Sequence, residues 1–367
     1  MIMRIRFTAI VLLYLIKTIS AQTLQIEREY NARHYEFNGI EINLTPEKFT
    51  IIKNNVEIYS ENINGKKVFK ASSEQNYFYV ANYQFKDSKN DYLVEVKVFN
   101  REGSLVLSRK FVAPFDLPHP LLSINDQGVL ALFDPLSFKV RLINQVSENK
   151  VELEKDIPFE MERAAFIEMN DDFLFILASQ NALDITENQN NVNLYKISLA
   201  DLKIEKGELD YNTPTLLKIS ENNIFISGVK FEELKPVGKT IKYDFELNVL
   251  AFNDKIIERI CSFGDKSYGK YFNTIFGLKE DLSVLFETSL SDNERILDFT
   301  ADESKVIVVT NKLGQYYLYY FSPDLDIDFK TALNNFGTDI IDDFTISENL
   351  IFVHHNSNTI KLKLTEN

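Results

Sequence analysis

One short pattern recurs along this chain and limits what it can fold into. An apolar residue and a hydroxyl lead into one or two turn residues that include an acid, and a run of β-formers follows. The pattern is plainest in FTADESKVIVVTN (299–311), and returns in LTPEKFTII (44–52) and FTISENLIFV (344–353). Looser copies surround Ser73-Glu74, Asn125-Asp126, Asn170-Asp171, Ser220-Glu221 and Lys279-Glu280. Short polar side chains satisfy nearby backbone groups and so form turns, and the apolar run after each turn is long enough for a strand buried on both faces. Each copy therefore reads as a hairpin. A single hairpin is marginal in water, so the copies must stack.

Several units carry a second hairpin after the buried run. LVEVKVFNREGSLVLSRKF (93–111) is the clearest, with two alternating strands flanking an Asn-Arg-Glu-Gly turn. Comparable pairs lie at 138–157, 192–209, 246–263 and 316–333. Four strands per repeat, with turns roughly 45 to 60 residues apart, is the period of propeller blades. Two intervals, Glu47 to Glu74 and Glu280 to Asp302, are under about 30 residues, short for a blade of some 40. The expectation is an all-β propeller of seven blades, with six or eight also compatible. Residues 343–364 supply three strands and only three residues follow, so the alternating stretch LQIEREY (24–30) is expected to pair into the last blade and close the ring. Helix is expected only as short turns at 159–165 and 330–335.

Composition bears on compartment and partners. Arg4 and Arg6 precede an apolar block, Phe7 to Ile16, and Ile19-Ser20-Ala21 offers a peptidase site, so residues 1–21 read as a signal peptide and 22–367 as one domain. A block of about ten residues is too short to span a bilayer, which takes roughly 20. No membrane span is expected after cleavage. Loss of Arg4, Arg6 and Lys17 takes the net charge from -14 to -17, a surface that repels nucleic acid and anionic lipid. Cys261 is the single cysteine, so an internal disulfide is excluded.

The stretch FTADESKVIVVTN resembles the signature of the YVTN family of β-propellers, a polar turn followed by a strand ending Tyr-Val-Thr-Asn. Val308 to Asn311 (VVTN) and Tyr79 to Asn82 (YVAN) approximate that ending, and Leu44 to Glu47 (LTPE) the turn. The glycine usual after the acid is replaced here by Glu303 and Ser304, and without tryptophan there is no Trp-Asp ending of the WD40 type. The resemblance is to the broad YVTN/WD40-like superfamily. It implies a fold shared by passive scaffolds and enzymes alike.

No constellation of reactive residues stands out. Asp324, Asp326 and Asp328 suggest calcium, but Phe329 stands where an EF-hand loop needs glycine, and a solvated outer edge explains them. His354 and His355 are strand neighbours pointing to opposite faces, and His34 and His119 are remote in sequence, so no zinc spacing arises. Cys261, in an apolar run read as an outer strand, has no base beside it and reads as structural. The run YYLYYF (316–321) could bind sugar or peptide but reads first as packing between blades. Catalytic residues stay unassigned, and neither a cofactor nor a metal is expected. The reading is an exported binding scaffold for a protein or peptide. The alternative is a propeller hydrolase or lyase whose carboxylates converge at one mouth of the central channel.

Overall fold

Tight turns and alternating strands set the architecture. In Asn38-Gly39 and Asn54-Asn55 both turn residues take positive φ (46° and 73°, 51° and 62°), the backbone that joins antiparallel strands with two residues. A computed structural model describes residues 22–86, 91–114, 122–134, 139–144, 151–156, 162–180, 192–220, 223–232, 235–263, 266–301, 304–336, 341, 343–347, 350–355 and 358–366. The expected signal peptide and His119 lie outside them.

The strands form eight four-stranded antiparallel sheets. Seven are continuous in the chain: blade 1 spans residues 33–62, blade 2 66–114, blade 3 122–156, blade 4 162–209, blade 5 213–253, blade 6 259–289 and blade 7 294–332. Blade 8 combines the three strands of residues 343–366 with Gln22–Tyr30, which pairs with Asn358–Glu366 through a register that places Gln25 opposite Lys363 and Tyr30 opposite Thr359.

The blade count is therefore eight, not seven. The expectation failed because two of the eight recurring turns are out of phase with the rest. In blades 2, 3 and 4 the turn joins the first and second strands, whereas Thr45-Pro46-Glu47 joins the second and third of blade 1, and Lys279-Glu280 the third and fourth of blade 6. Measured from those later turns, the next repeat comes early. Both blades are complete, because strands of five to seven residues suffice. The stretch 246–263 is likewise no hairpin: Val249–Asn253 ends blade 5 and Arg259–Phe263 begins blade 6. Residues 162–165 are strand rather than helix, and the second helical expectation reduces to a 3-10 turn, Leu333–Phe336. No helix among the described residues is long and apolar enough to cross a membrane.

Packing between blades supplies the core. Seven hydrophobic clusters lie among the described residues, each shared by two successive blades from 1–2 round to 7–8. The aromatic run serves two of them at once: Leu318 and Tyr320 face blade 8, and Tyr319 and Phe321 face blade 6. Cys261 packs half-buried at the blade 6–7 seam, on a first strand rather than an outer one.

The seam between blades 8 and 1 is built differently. His34 and His354 are both fully buried there. The Tyr30 ring stacks on His34 at 3.6 Å, and Tyr35 lies 4.8 Å from His354. Thr359 links the two, accepting the His34 amide at 2.8 Å and sharing a hydrogen bond with His354 Nδ1 at 2.8 Å.

Candidate functional site

The first strand of each sheet is its edge strand, and first strands touch from sheet to sheet through blades 3, 4, 5, 6 and 7. These inner edges frame the central axis. The turns at their C-terminal ends gather at one mouth, and the second-to-third strand turns lie at the other.

At the first mouth the turn acids do more than bend the chain. Asp126, in the blade 3 turn, accepts Ser72 Oγ and Ser73 Oγ of blade 2 at 2.5 Å each and the Glu74 amide at 3.0 Å. Burial alone would raise its pKa, but these donors hold the carboxyl below its ordinary range. Asp171, in the blade 4 turn, takes the Asp126 amide, and burial together with the Asp126 charge raises its pKa. Asn38 Nδ2 of blade 1 donates to the Gln75 carbonyl at 2.6 Å. A belt of polar bonds thus runs from blade 1 to blade 4.

Inside this belt lies a cavity of about 350 Å³ shared by the first strands of blades 2 to 5. Lys70 reaches past blade 3, where Ser123 is small, and stands 3.6 Å from Glu168 of blade 4. Lys218 of blade 5 is exposed and has no ion-pair partner among the described residues. Glu74 and Ser73 close one side, and Ile124, Met169 and Ile219 give apolar wall.

Further round the axis the charges pair across blades. Arg259 of blade 6 bridges to Asp298 of blade 7. Burial pushes the Asp298 carboxyl up to about 6, and the Asp343 charge on blade 8 adds to this against the pull of Arg259.

The second mouth holds a cavity of about 660 Å³ between blades 1 and 2, lined by Arg33, residues 44–47 and residues 64–67. The Lys67 ammonium donates to the carbonyls of Thr45, Pro46, Ile63 and Gly65 at 2.7 to 3.2 Å, and burial brings its pKa down to about 8. Gly65 is required in this cage: its φ is +137°, and a Cβ would stand 2.4 Å from the Tyr83 carbonyl oxygen. With its donors spent on four carbonyls, Lys67 ties the blade 1 turn to the blade 1–2 crossing.

Asp324, Asp326 and Asp328 are all exposed, but the first two sit in a turn organised by Ser322, and only Asp328 lies in a strand. His354 and His34 are brought together, His355 stays apart and half-buried, and no group of three or more His, Cys, Asp or Glu among the described residues is placed to hold a metal. Glu168, Lys70, Lys218 and Asp298 were not singled out by the sequence, because a lone charge in a strand carries no signal of which blade it will face.

No family model matches the chain, and no curated protein matches it. Solved structures do. A eukaryotic initiation factor aligns with a TM-score of 0.57 at 10% identity, over 93% of this chain and 86% of that one. AztD from Citrobacter koseri, in its apo form, gives 0.54 at 10% identity, over 89% and 96%. An acylaminoacyl peptidase from Pyrococcus horikoshii gives 0.51 at 14% identity, over 78% of this chain and 49% of the peptidase, so this chain spans about half its length. At such identities the likeness shows the fold alone. The class is the β-propeller, here with eight blades.

Proposed function

We propose that this propeller is an exported binding scaffold for a protein or peptide, engaged at the mouth formed by the first-to-second strand turns of blades 2 to 5. One observation carries the reading. Asp126 at that mouth is committed to holding blades together by three donors and Glu168 stands 3.6 Å from Lys70, while the cavity beside them keeps Lys218, an ammonium without an ion-pair partner among the described residues, and an apolar wall. Such a mix of apolar surface and few polar groups suits recognition. The repeat pattern supports placing the chain in the broad YVTN/WD40-like superfamily, and the residue pattern of 1–21 supports export. We also infer that Gln22–Tyr30, by pairing with Asn358–Glu366, is the latch that closes the ring.

A photo-crosslinking side chain at position 218 tests the site. The expected result is a discrete protein or peptide adduct that excess unmodified protein competes away and that Glu168→Arg abolishes. The same adduct from position 313, exposed on the opposite face, would refute the assignment. Export is tested by N-terminal sequencing of the protein from its native host, with Gln22 expected first and Met1 the contrary result.

Asp298 favours a second reading, hydrolase or lyase. A carboxyl with a pKa of about 6, facing Asp343 from another blade, suits a general acid. Hydrolysis of ester or glycoside substrates that Asp298→Asn abolishes would establish it. Activity unchanged in that variant would remove Asp298 from the chemistry.

A further inference from the structure

The cavity shared by blades 2 to 5 carries a more specific ligand class than the scaffold reading on which it rests. It presents two ammonium groups, Lys70 and Lys218, and two carboxylates, Glu74 and Glu168, around an apolar wall of Ile124, Met169 and Ile219. We propose that it binds a short peptide by its free termini, a zwitterion with apolar side chains.

The charges argue for this class over simpler ions. A phosphate or other dianion at Lys218 would sit beside Glu74 and Glu168, with Asp126 and Asp171 in the adjoining turns, and like charges so placed disfavour it. A simple cation meets Lys70 and Lys218. A ligand with one charge of each sign satisfies both halves: its carboxylate lies between Lys218 and Lys70, and its ammonium faces Glu74 and Glu168. The Lys70–Glu168 pair, at 3.6 Å, is longer than a tight hydrogen bond and leaves both groups with bonding capacity for the incoming termini. Lys218, exposed and without an ion-pair partner among the described residues, loses no existing pair when a carboxylate arrives.

Size sets the length. A cavity of about 350 Å³ is about 9 Å across if round, and at about 3.3–3.6 Å per residue an extended chain of two or three residues fits. The apolar wall then receives an aliphatic side chain.

The test is calorimetric titration of residues 22–367 with the tripeptide alanyl-leucyl-alanine, its C-terminal amide and its N-acetyl form. The free tripeptide is expected to bind, and each blocked form to bind at least about tenfold more weakly, as the loss of a charge-assisted hydrogen bond predicts. In Lys218→Ala the acid and the amide should bind alike, with unchanged thermal unfolding showing an intact fold. Equal binding of free and blocked tripeptides to the unaltered chain overturns the terminus inference and leaves a peptide-binding scaffold standing. No binding of any of the three at millimolar concentration overturns the inference too, while the adduct from position 218 still decides the scaffold reading separately.

Discussion

Asp126 gathers two hydroxyl hydrogens and one amide hydrogen onto a single carboxylate, all from the preceding blade. Asp126→Ala leaves Ser72, Ser73 and the Glu74 amide to water, and the expected loss is about 1–3 kcal/mol in urea unfolding at pH 7. A change under about 0.5 kcal/mol would mean that solvent replaces the carboxylate fully. The two buried histidines add a pH dependence with a definite sign. Burial, with the Arg33 and His34 charges, holds His354 at about 3, and burial lowers His34 against the pull of Asn43, Glu41 and Glu36. Each is harder to protonate in the fold than in the unfolded chain, which takes up protons near pH 6.5, so stability is full above that pH and falls below it, for His354 down to about pH 3. The slope reaches up to about 1.4 kcal/mol per pH unit for each histidine. Thermal unfolding between pH 7 and 4 should show the fall, and His354→Gln should shallow it; an equal slope in the variant would assign the effect to carboxylates. Neither feature was legible beforehand. The turn acids were visible as turn formers, but their partners belong to another blade, and a strand pattern does not say which distant strand a histidine will meet.

At the scale of elements, Gln22–Tyr30 covers the last strand of blade 8 and contributes Leu24 to the blade 7–8 core. Removing residues 22–30 would bare the edge of Asn358–Glu366, a row of unpaired backbone groups that invites pairing with another chain. The shortened protein is expected to unfold at lower temperature and to elute as dimers or larger species. A monomer with unchanged unfolding temperature would dismiss the latch. The strands themselves were largely readable, because alternation and turn chemistry are local properties. Their grouping into blades was not: Thr45-Pro46-Glu47 and Lys279-Glu280 have the same chemistry as the other turns yet serve different connections. Five-residue strands such as Arg33–Phe37 and Thr274–Leu278 made two blades shorter than the assumed minimum.

For the whole molecule, the described residues give the ring seven seams of aliphatic and aromatic side chains and one built on a histidine pair with Tyr30, Tyr35, Thr359 and Phe352. That seam flanks the one sheet that joins strands from residues 22–30 and 343–366, so separating them there breaks no chain connection within a blade. Residues 31 and 32 carry the chain across that seam, whereas Gln22–Tyr30 and Asn358–Glu366 are held together by strand pairing without a chain connection, so opening is expected to begin by release of Gln22–Tyr30 from its partner strand. A disulfide across the latch tests this directly. Gln25 and Lys363 are directly opposed and both exposed, and opposed residues of an antiparallel pair have Cα atoms about 4.5–5.5 Å apart, within disulfide reach. In a Cys261→Ser background, Gln25→Cys with Lys363→Cys would close a loop of nearly the whole chain, for which chain entropy allows a stabilisation toward the upper end of about 0–5 kcal/mol. The oxidised protein should unfold several degrees higher than its reduced form and should show stronger hydrogen-exchange protection in both Gln22–Tyr30 and Arg33–Phe37. If oxidation raises protection only within the bridged pair and leaves Arg33–Phe37 and the unfolding temperature unchanged, the ring opens first at one of the apolar seams instead.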